Sequence, residues 1–161
     1  MLFQTKKMLN VDCVLIDVEA KSDTEIISIL VEKLISRGLV KDSFKNAVLE
    51  REKTFPTGLP TMGIGIAIPH ADSKYVNEPS FAIAKLKNPV SFSKMGGEPD
   101  EKVDVSLVIL MGVREDKAQV KTIVKIIKMF SDEMIVNKIK KSKTNRELYE
   151  IFYETIKIQK I

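Results

Sequence analysis

The chain has 161 residues, 44% of them apolar and 30% charged, with 26 Lys plus Arg against 22 Asp plus Glu, one cysteine and one histidine. This balance suits one globular domain over residues 1–161 and argues against a disordered chain; no apolar run nears the ~20 residues of a bilayer span. A lone Cys13 and a lone His70 exclude an internal disulfide and any Cys- or His-rich metal site, so neither a metal nor a cofactor is expected.

The first ten residues lack the long apolar core of a signal peptide, and with one cysteine the expected compartment is the reducing cytoplasm. Val14 to Val18 reads as a strand. Ser22 with Glu25 three residues on forms a capping box that opens a helix, whose apolar stripe of Ile26, Ile27, Leu30, Val31, Leu34 and Ile35 is closed by Gly38. A second helix is predicted over 42–54 with Phe44, Ala47 and Val48 inward, and Pro56, Gly58 and Pro60 then predict a loop. Residues 64–68 alternate as a strand stopped by Pro69.

Further strands are predicted over 81–87 and 103–111, separated by a turn-rich stretch with Pro89, Gly96, Gly97 and Pro99. The second is apolar at every position from Leu107 to Leu110, as befits a strand covered on both faces. A helix is predicted over 116–130, with Val120, Ile123, Val124 and Ile127 on one face, and helical character continues over 134–140. Thr144 and Glu147 form a second capping box that opens a last amphipathic helix bearing Leu148, Ile151, Phe152 and Ile156. Lys138, Lys140, Lys141 and Lys143 sit at a helix end, where cations offset the dipole. With few aromatics interleaved, they read as a solvated end and not as a nucleic-acid surface.

The chemistry concentrates in 51–72. No Gly-x-Ser-x-Gly elbow, Walker A loop or dinucleotide glycine fingerprint is present. Gly63 and Gly65 suit close backbone approach, and Pro69 fixes the turn that presents His70. A neutral imidazole is a nucleophile, the Arg51 fork suits phosphoryl oxygens, and the hydroxyls of Thr54, Thr57 and Thr61 are candidate weaker donors. Taken singly, His70 more often reads as a surface or hydrogen-bonded structural histidine, Arg51 as a solvated helix residue, and the glycines as a bulge.

Arg51-Glu52-Lys53-Thr54-Phe55-Pro56-Thr57-Gly58-Leu59-Pro60-Thr61, followed by Gly63-Ile64-Gly65-Ile66-Ala67-Ile68-Pro69-His70-Ala71-Asp72, resembles the fructose/mannitol-type IIA domain of the bacterial sugar phosphotransferase system. The Phe-Pro-Thr-Gly-Leu-Pro-Thr loop looks most like the galactitol-specific branch. The resemblance implies a single α/β domain of the phosphotransferase/anion-transport-protein type, a mixed β-sheet flanked by helices. It implies a phosphotransferase component with a phosphohistidine intermediate. His70 would take phosphate from the histidine phosphocarrier protein and give it to a cysteine of a IIB component, with Arg51 as the active-site arginine. A IIC membrane component is a further candidate partner, without insertion of this chain into the membrane.

One position departs from the pattern. The family usually has a second active-site histidine where this chain has Lys117, in Asp116-Lys117-Ala118-Gln119. Lys117 is either a replacement donor to the phosphoryl group or a solvated lysine paired with Asp116 or Glu115. Two functional readings follow: a carrier feeding sugar or polyol uptake, and a regulator that uses the same fold to bind a partner in response to phosphorylation.

Overall fold

The computed structural model describes residues 8–114 and 116–158. Most of the N-terminal stretch read for a signal peptide, and Glu115, lie outside the described residues. Strand β1 (Val14–Val18) leads to helix α1 (Asp23–Ser36) and helix α2 (Phe44–Thr54). Two short strands follow, β2 (Gly58–Pro60) and β3 (Gly65–Ala67), then two long ones, β4 (Ser80–Ser93) and β5 (Lys102–Gly112). Helices α3 (Asp116–Met129), α4 (Glu133–Lys141) and α5 (Asn145–Ile158) complete the chain.

The helix ends follow the local chemistry. The Ser22 hydroxyl accepts the Glu25 N–H at 3.1 Å, and Gly38 at φ 69° supplies the left-handed residue that turns the chain out of α1. Thr144 Oγ1 accepts the Glu147 N–H at 3.1 Å, and Glu147 Oε2 accepts the Lys143 N–H at 2.9 Å.

The five strands form one mixed sheet in the order β1-β4-β5-β3-β2. β1 runs parallel to β4 and β3 parallel to β5, whereas β4 and β5, and β2 and β3, are antiparallel. Side-chain alternation sends Leu107, Ile109 and Met111 into a core shared with α3, α4 and α5, and Val108 and Leu110 into a second core shared with α1 and α2. This makes a three-layer α/β/α sandwich, the single-domain α/β class the sequence predicts. No helix among the described residues is long and apolar enough to cross a membrane.

Three expectations are corrected. The proline-rich segment expected as a loop contains β2, a three-residue strand at the sheet margin, where Pro60 is tolerated. The strand expected over 81–87 continues to Ser93, because its pairing with β5 shifts between Lys85 and Val90 and lets exposed Pro89 pass through an irregularity. On α3, Val120 and Val124 point outward, 62% and 58% exposed, while Ile126 is buried and Ile123 and Ile127 pack on the core.

The strand directions gather three junctions at one edge of the sheet. There β3 and β5 end, β5 gives way to the start of α3, and the end of α2 turns into the start of β2. Residues 51–57, 68–72 and the first turns of α3 therefore share a neighbourhood.

Candidate functional site

His70 continues the β3 frame beyond the strand. It bridges Met111 in the same parallel register that pairs Ile66 with Leu107, and the Met111 N–H donates to the Pro69 carbonyl at 3.1 Å. The residue is buried, with 7% of its surface exposed. Its Nδ1 lies 2.8 Å from the Ile68 carbonyl oxygen. A carbonyl only accepts, so Nδ1 carries the proton and Nε2 keeps its lone pair. Among the described residues, the buried side-chain polar atoms without a partner are Arg51 Nε and Ser80 Oγ. Burial lowers the imidazole pKa from its ordinary 6.5. The Ile68 carbonyl and Asp72 oppose that shift, and the Arg51 charge adds to it. The ring is neutral at pH 7.

Arg51 sits in the last turn of α2, half-buried, its guanidinium 5.3 Å from the centroid of Phe55. Its Nε is buried and makes no hydrogen bond. The Arg51 charge is felt at the His70 ring, where it disfavours the imidazolium.

The next residue, Glu52, faces inward and is 7% exposed. Its Oε1 accepts the Thr57 N–H at 2.8 Å, and the Thr57 hydroxyl lies 3.1 and 3.0 Å from Oε1 and Oε2. Burial pushes the Glu52 pKa from 4.5 up to about 7, against the pull of the Thr57 donors. The Thr57 hydroxyl also accepts the Ile68 N–H at 3.0 Å. Among the three threonines, then, Thr57 has its hydroxyl engaged in tying α2 to the His70 strand.

The structure does not bring Thr61 together with His70. Thr61 closes the turn at the start of β3, its hydroxyl donating to the Ile64 carbonyl and accepting the Ile64 N–H at 3.2 Å. Ile64 to His70 is six extended residues, about 20 Å at roughly 3.3 Å each, so Thr61 belongs to the opposite edge. Thr54 is exposed at the end of α2, with its hydroxyl 3.4 Å from the Glu50 carbonyl. Lys117 is exposed in the first turn of α3. Two residues on, the Gln119 amide donates to the Ala71 carbonyl at 3.0 Å and fastens α3 to the residue after His70. Glu52 and Gln119 are site residues that sequence reasoning passed over. The only signal for either was its place inside the motif, next to Arg51 or Lys117.

A model of the family described as phosphoenolpyruvate-dependent sugar phosphotransferase system, EIIA 2, matches residues 7–155. The chain belongs to that family. Among its relatives, the nitrogen regulatory protein of Klebsiella oxytoca is 30% identical over 155 residues, covering 94% of this chain and 91% of the relative. The galactitol-specific EIIA component of Escherichia coli K12 is also 30% identical, over 98 residues that cover 61% of this chain and 64% of that protein. The EIIA 2 fold recurs in the complex of enzyme IIAMTL and phosphorylated enzyme IIBMTL from Escherichia coli. That structure has a TM-score of 0.71 at 23% identity, covering 88% of this chain and 95% of the other.

Proposed function

We propose that this EIIA 2 chain is a cytoplasmic phosphoryl carrier in which His70 Nε2 takes a phosphoryl group from the histidine phosphocarrier protein and passes it to a cysteine of a IIB component. The observation that carries this reading is the Nδ1 hydrogen bond to the Ile68 carbonyl, which leaves Nε2 as the ring's nucleophile. As the Nε2 lone pair bonds to phosphorus, the bond from phosphorus to the donor's nitrogen breaks. The Nδ1 proton stays in place, and the ring becomes an imidazolium whose charge the Ile68 carbonyl faces. When the IIB sulfur attacks phosphorus, the P–Nε2 bond breaks and the ring returns to neutral.

The transferring group spreads negative charge over its oxygens, so positioned donors matter most. Arg51, part-buried and with its charge felt at His70, supplies its guanidinium fork to them. Val120 and Val124 on the outer face of α3, with Phe55 after α2, offer apolar surface for a docking partner. The mannitol pair supports a IIB partner, since the matching fold was determined in complex with phosphorylated enzyme IIBMTL. The galactitol-specific relative supports a sugar or polyol route.

The assay is incubation with the general phosphotransferase proteins and phosphoenolpyruvate. Wild type gains an acid-labile, base-stable phosphate, and His70→Ala gains none. Label of that stability on His70→Ala would end the assignment. A second reading, a phosphorylation-dependent regulator, is favoured by the nitrogen regulatory relative, which matches 94% of this chain against 61% for the galactitol-specific one. Phosphoryl passage to a IIB component separates the two: a carrier delivers, whereas a regulator holds its phosphate and changes its affinity for a partner.

A further inference from the structure

We propose that Glu52 is the positioning residue of the site: through Thr57 it locks the carbonyl that fixes the His70 ring, and so sets imidazole and guanidinium in one frame. The role rests on the phosphohistidine reading for its purpose, but not for its geometry.

The connection is continuous. Glu52 accepts both the N–H and the O–H of Thr57, the Thr57 hydroxyl accepts the Ile68 N–H, and the Ile68 carbonyl accepts Nδ1–H of His70. The sheet register explains why a side chain serves here. β2 and β3 pair Gly58 with Ala67, so the same register sets Thr57 opposite Ile68 just beyond the strands. There the Thr57 hydroxyl takes the N–H that a ladder carbonyl would otherwise hold. Pro69 follows and confines Ile68 to extended backbone, so a residue held at its N–H also has its carbonyl direction held. Without that hold, Ile68 could turn its carbonyl away and the ring would lose its tautomer preference.

Glu52 also follows Arg51 directly on α2. One carboxylate therefore anchors the helix that carries the guanidinium to the strand that carries the ring. A merely structural cap would not need a carboxylate here. A buried acid whose ionisation is disfavoured by burial is a costly way to close a five-residue turn that backbone bonds alone could close. Among the described residues, the polar and charged groups around Glu52 are Asp23 and Thr24 from the first turn of α1, Ser93 at the end of β4, Thr57, and its own neighbours Arg51 and Lys53. They line or border a cleft of about 210 Å³. Burial disfavours the ionised carboxylate most, the Thr57 donors oppose that, Asp23 adds to it and Arg51 counters it, and the carboxyl, raised to about 7, changes charge near neutrality.

Because His70 is the only histidine, ring ¹⁵N NMR of uniformly labelled full-length protein reads its tautomer without ambiguity. Wild type should show Nδ1–H with Nε2 unprotonated. Thr57→Ser should match it, whereas Thr57→Val should populate both tautomers and slow phosphorylation by the small donor phosphoramidate about tenfold. Wild-type ring shifts should also inflect near pH 7 as Glu52 titrates, apart from the ring's own titration below 6.5, and Glu52→Gln should abolish that inflection. If Thr57→Val does not fold, the Glu52→Gln titration decides. A single Nδ1–H tautomer in folded Thr57→Val, or an inflection retained in Glu52→Gln, overturns the proposal. Tautomer changes as expected with no phosphorylation of wild type by any donor would overturn the carrier reading alone.

Discussion

Glu52→Gln should remove a calculable part of the pH dependence of the protein's stability. The carboxyl is 7% exposed and its pKa rises from 4.5 to about 7. Keeping it ionised in the fold therefore costs about 3 kcal/mol relative to the unfolded chain. The folded-state pKa of this acid is raised, so the native protein binds the extra proton between pH 4.5 and 7. Its contribution is whole below about 4.5 and is lost as pH climbs through about 7. Glutamine has nearly the same shape and no charge to desolvate. The stability difference should therefore move by about 3 kcal/mol in the variant's favour between pH 4.5 and 8, a large share of a typical 5–15 kcal/mol. His70 acts in the opposite sense, because its lowered pKa makes stability rise with pH up to about 6.5. It is present in both proteins and cancels in the difference. Urea unfolding followed by circular dichroism at pH 4.5, 6, 7 and 8 measures this, since the chain has no tryptophan to report. A difference that stays constant across those pH values would refute the burial argument for Glu52.

Arg51→Ala should lower phosphoryl transfer on the order of 10²–10³-fold with folding intact, and Arg51→Lys should recover only part, because a point charge cannot replace the fork. Equal transfer rates for Arg51→Ala and wild type would remove the guanidinium from the site. Gly65→Ala should reduce the urea midpoint, because the new Cβ would lie 1.9 Å from the Asp104 carbonyl oxygen and β3 would have to part from β5. A cost of about 1–3 kcal/mol or more is expected, and an unchanged midpoint would show that the strands separate freely. Lys117→Ala should speed loss of phosphate from His70 or slow its loading, while Lys117→His should restore exchange with a galactitol-type IIB partner. Stopped-flow rates unchanged in both directions would return Lys117 to a solvated surface role.

The parts legible in the sequence were those where one residue's neighbours in the chain decide its fate. Ser22 with Glu25 and Thr144 with Glu147 need only a local turn, and both capping boxes are present. The unbroken apolar run of β5 could only be a strand covered twice. Failures came where the third dimension decides. β2 is too short for a period of two to register, and Pro60 disguises it. On α3, Val120 and Val124 as well as Ile123 and Ile127 suit an inward face, and helical spacing alone cannot say which pair meets the sheet. The same applies within the motif. Thr54, Thr57 and Thr61 look alike along the chain, yet reversal of the strand sends Thr61 to the far edge and leaves Thr57 opposite Ile68. Glu52 reads as a surface residue because acids usually are; only its partner five residues later shows why it is buried.

This division bears on how a family can hold both sugar-specific components and a nitrogen regulatory protein. Under the proposed carrier role, the frame around His70 rests on buried atoms: the Ile68 carbonyl, the Nδ1 proton, Thr57 and the Glu52 carboxylate. Those contacts are short, mutually dependent and screened from solvent, so altering one disturbs the others. Under that role a docking partner meets a different set, at the same edge but facing outward: Phe55, Val120, Val124 and Lys117. Exposed positions change at little cost to stability. Lys117, where this chain departs from the family's usual histidine, falls in the outward set. On the proposed reading, a change at Lys117 therefore alters the surface that a donor or acceptor meets while leaving the hydrogen bonds around His70 in place.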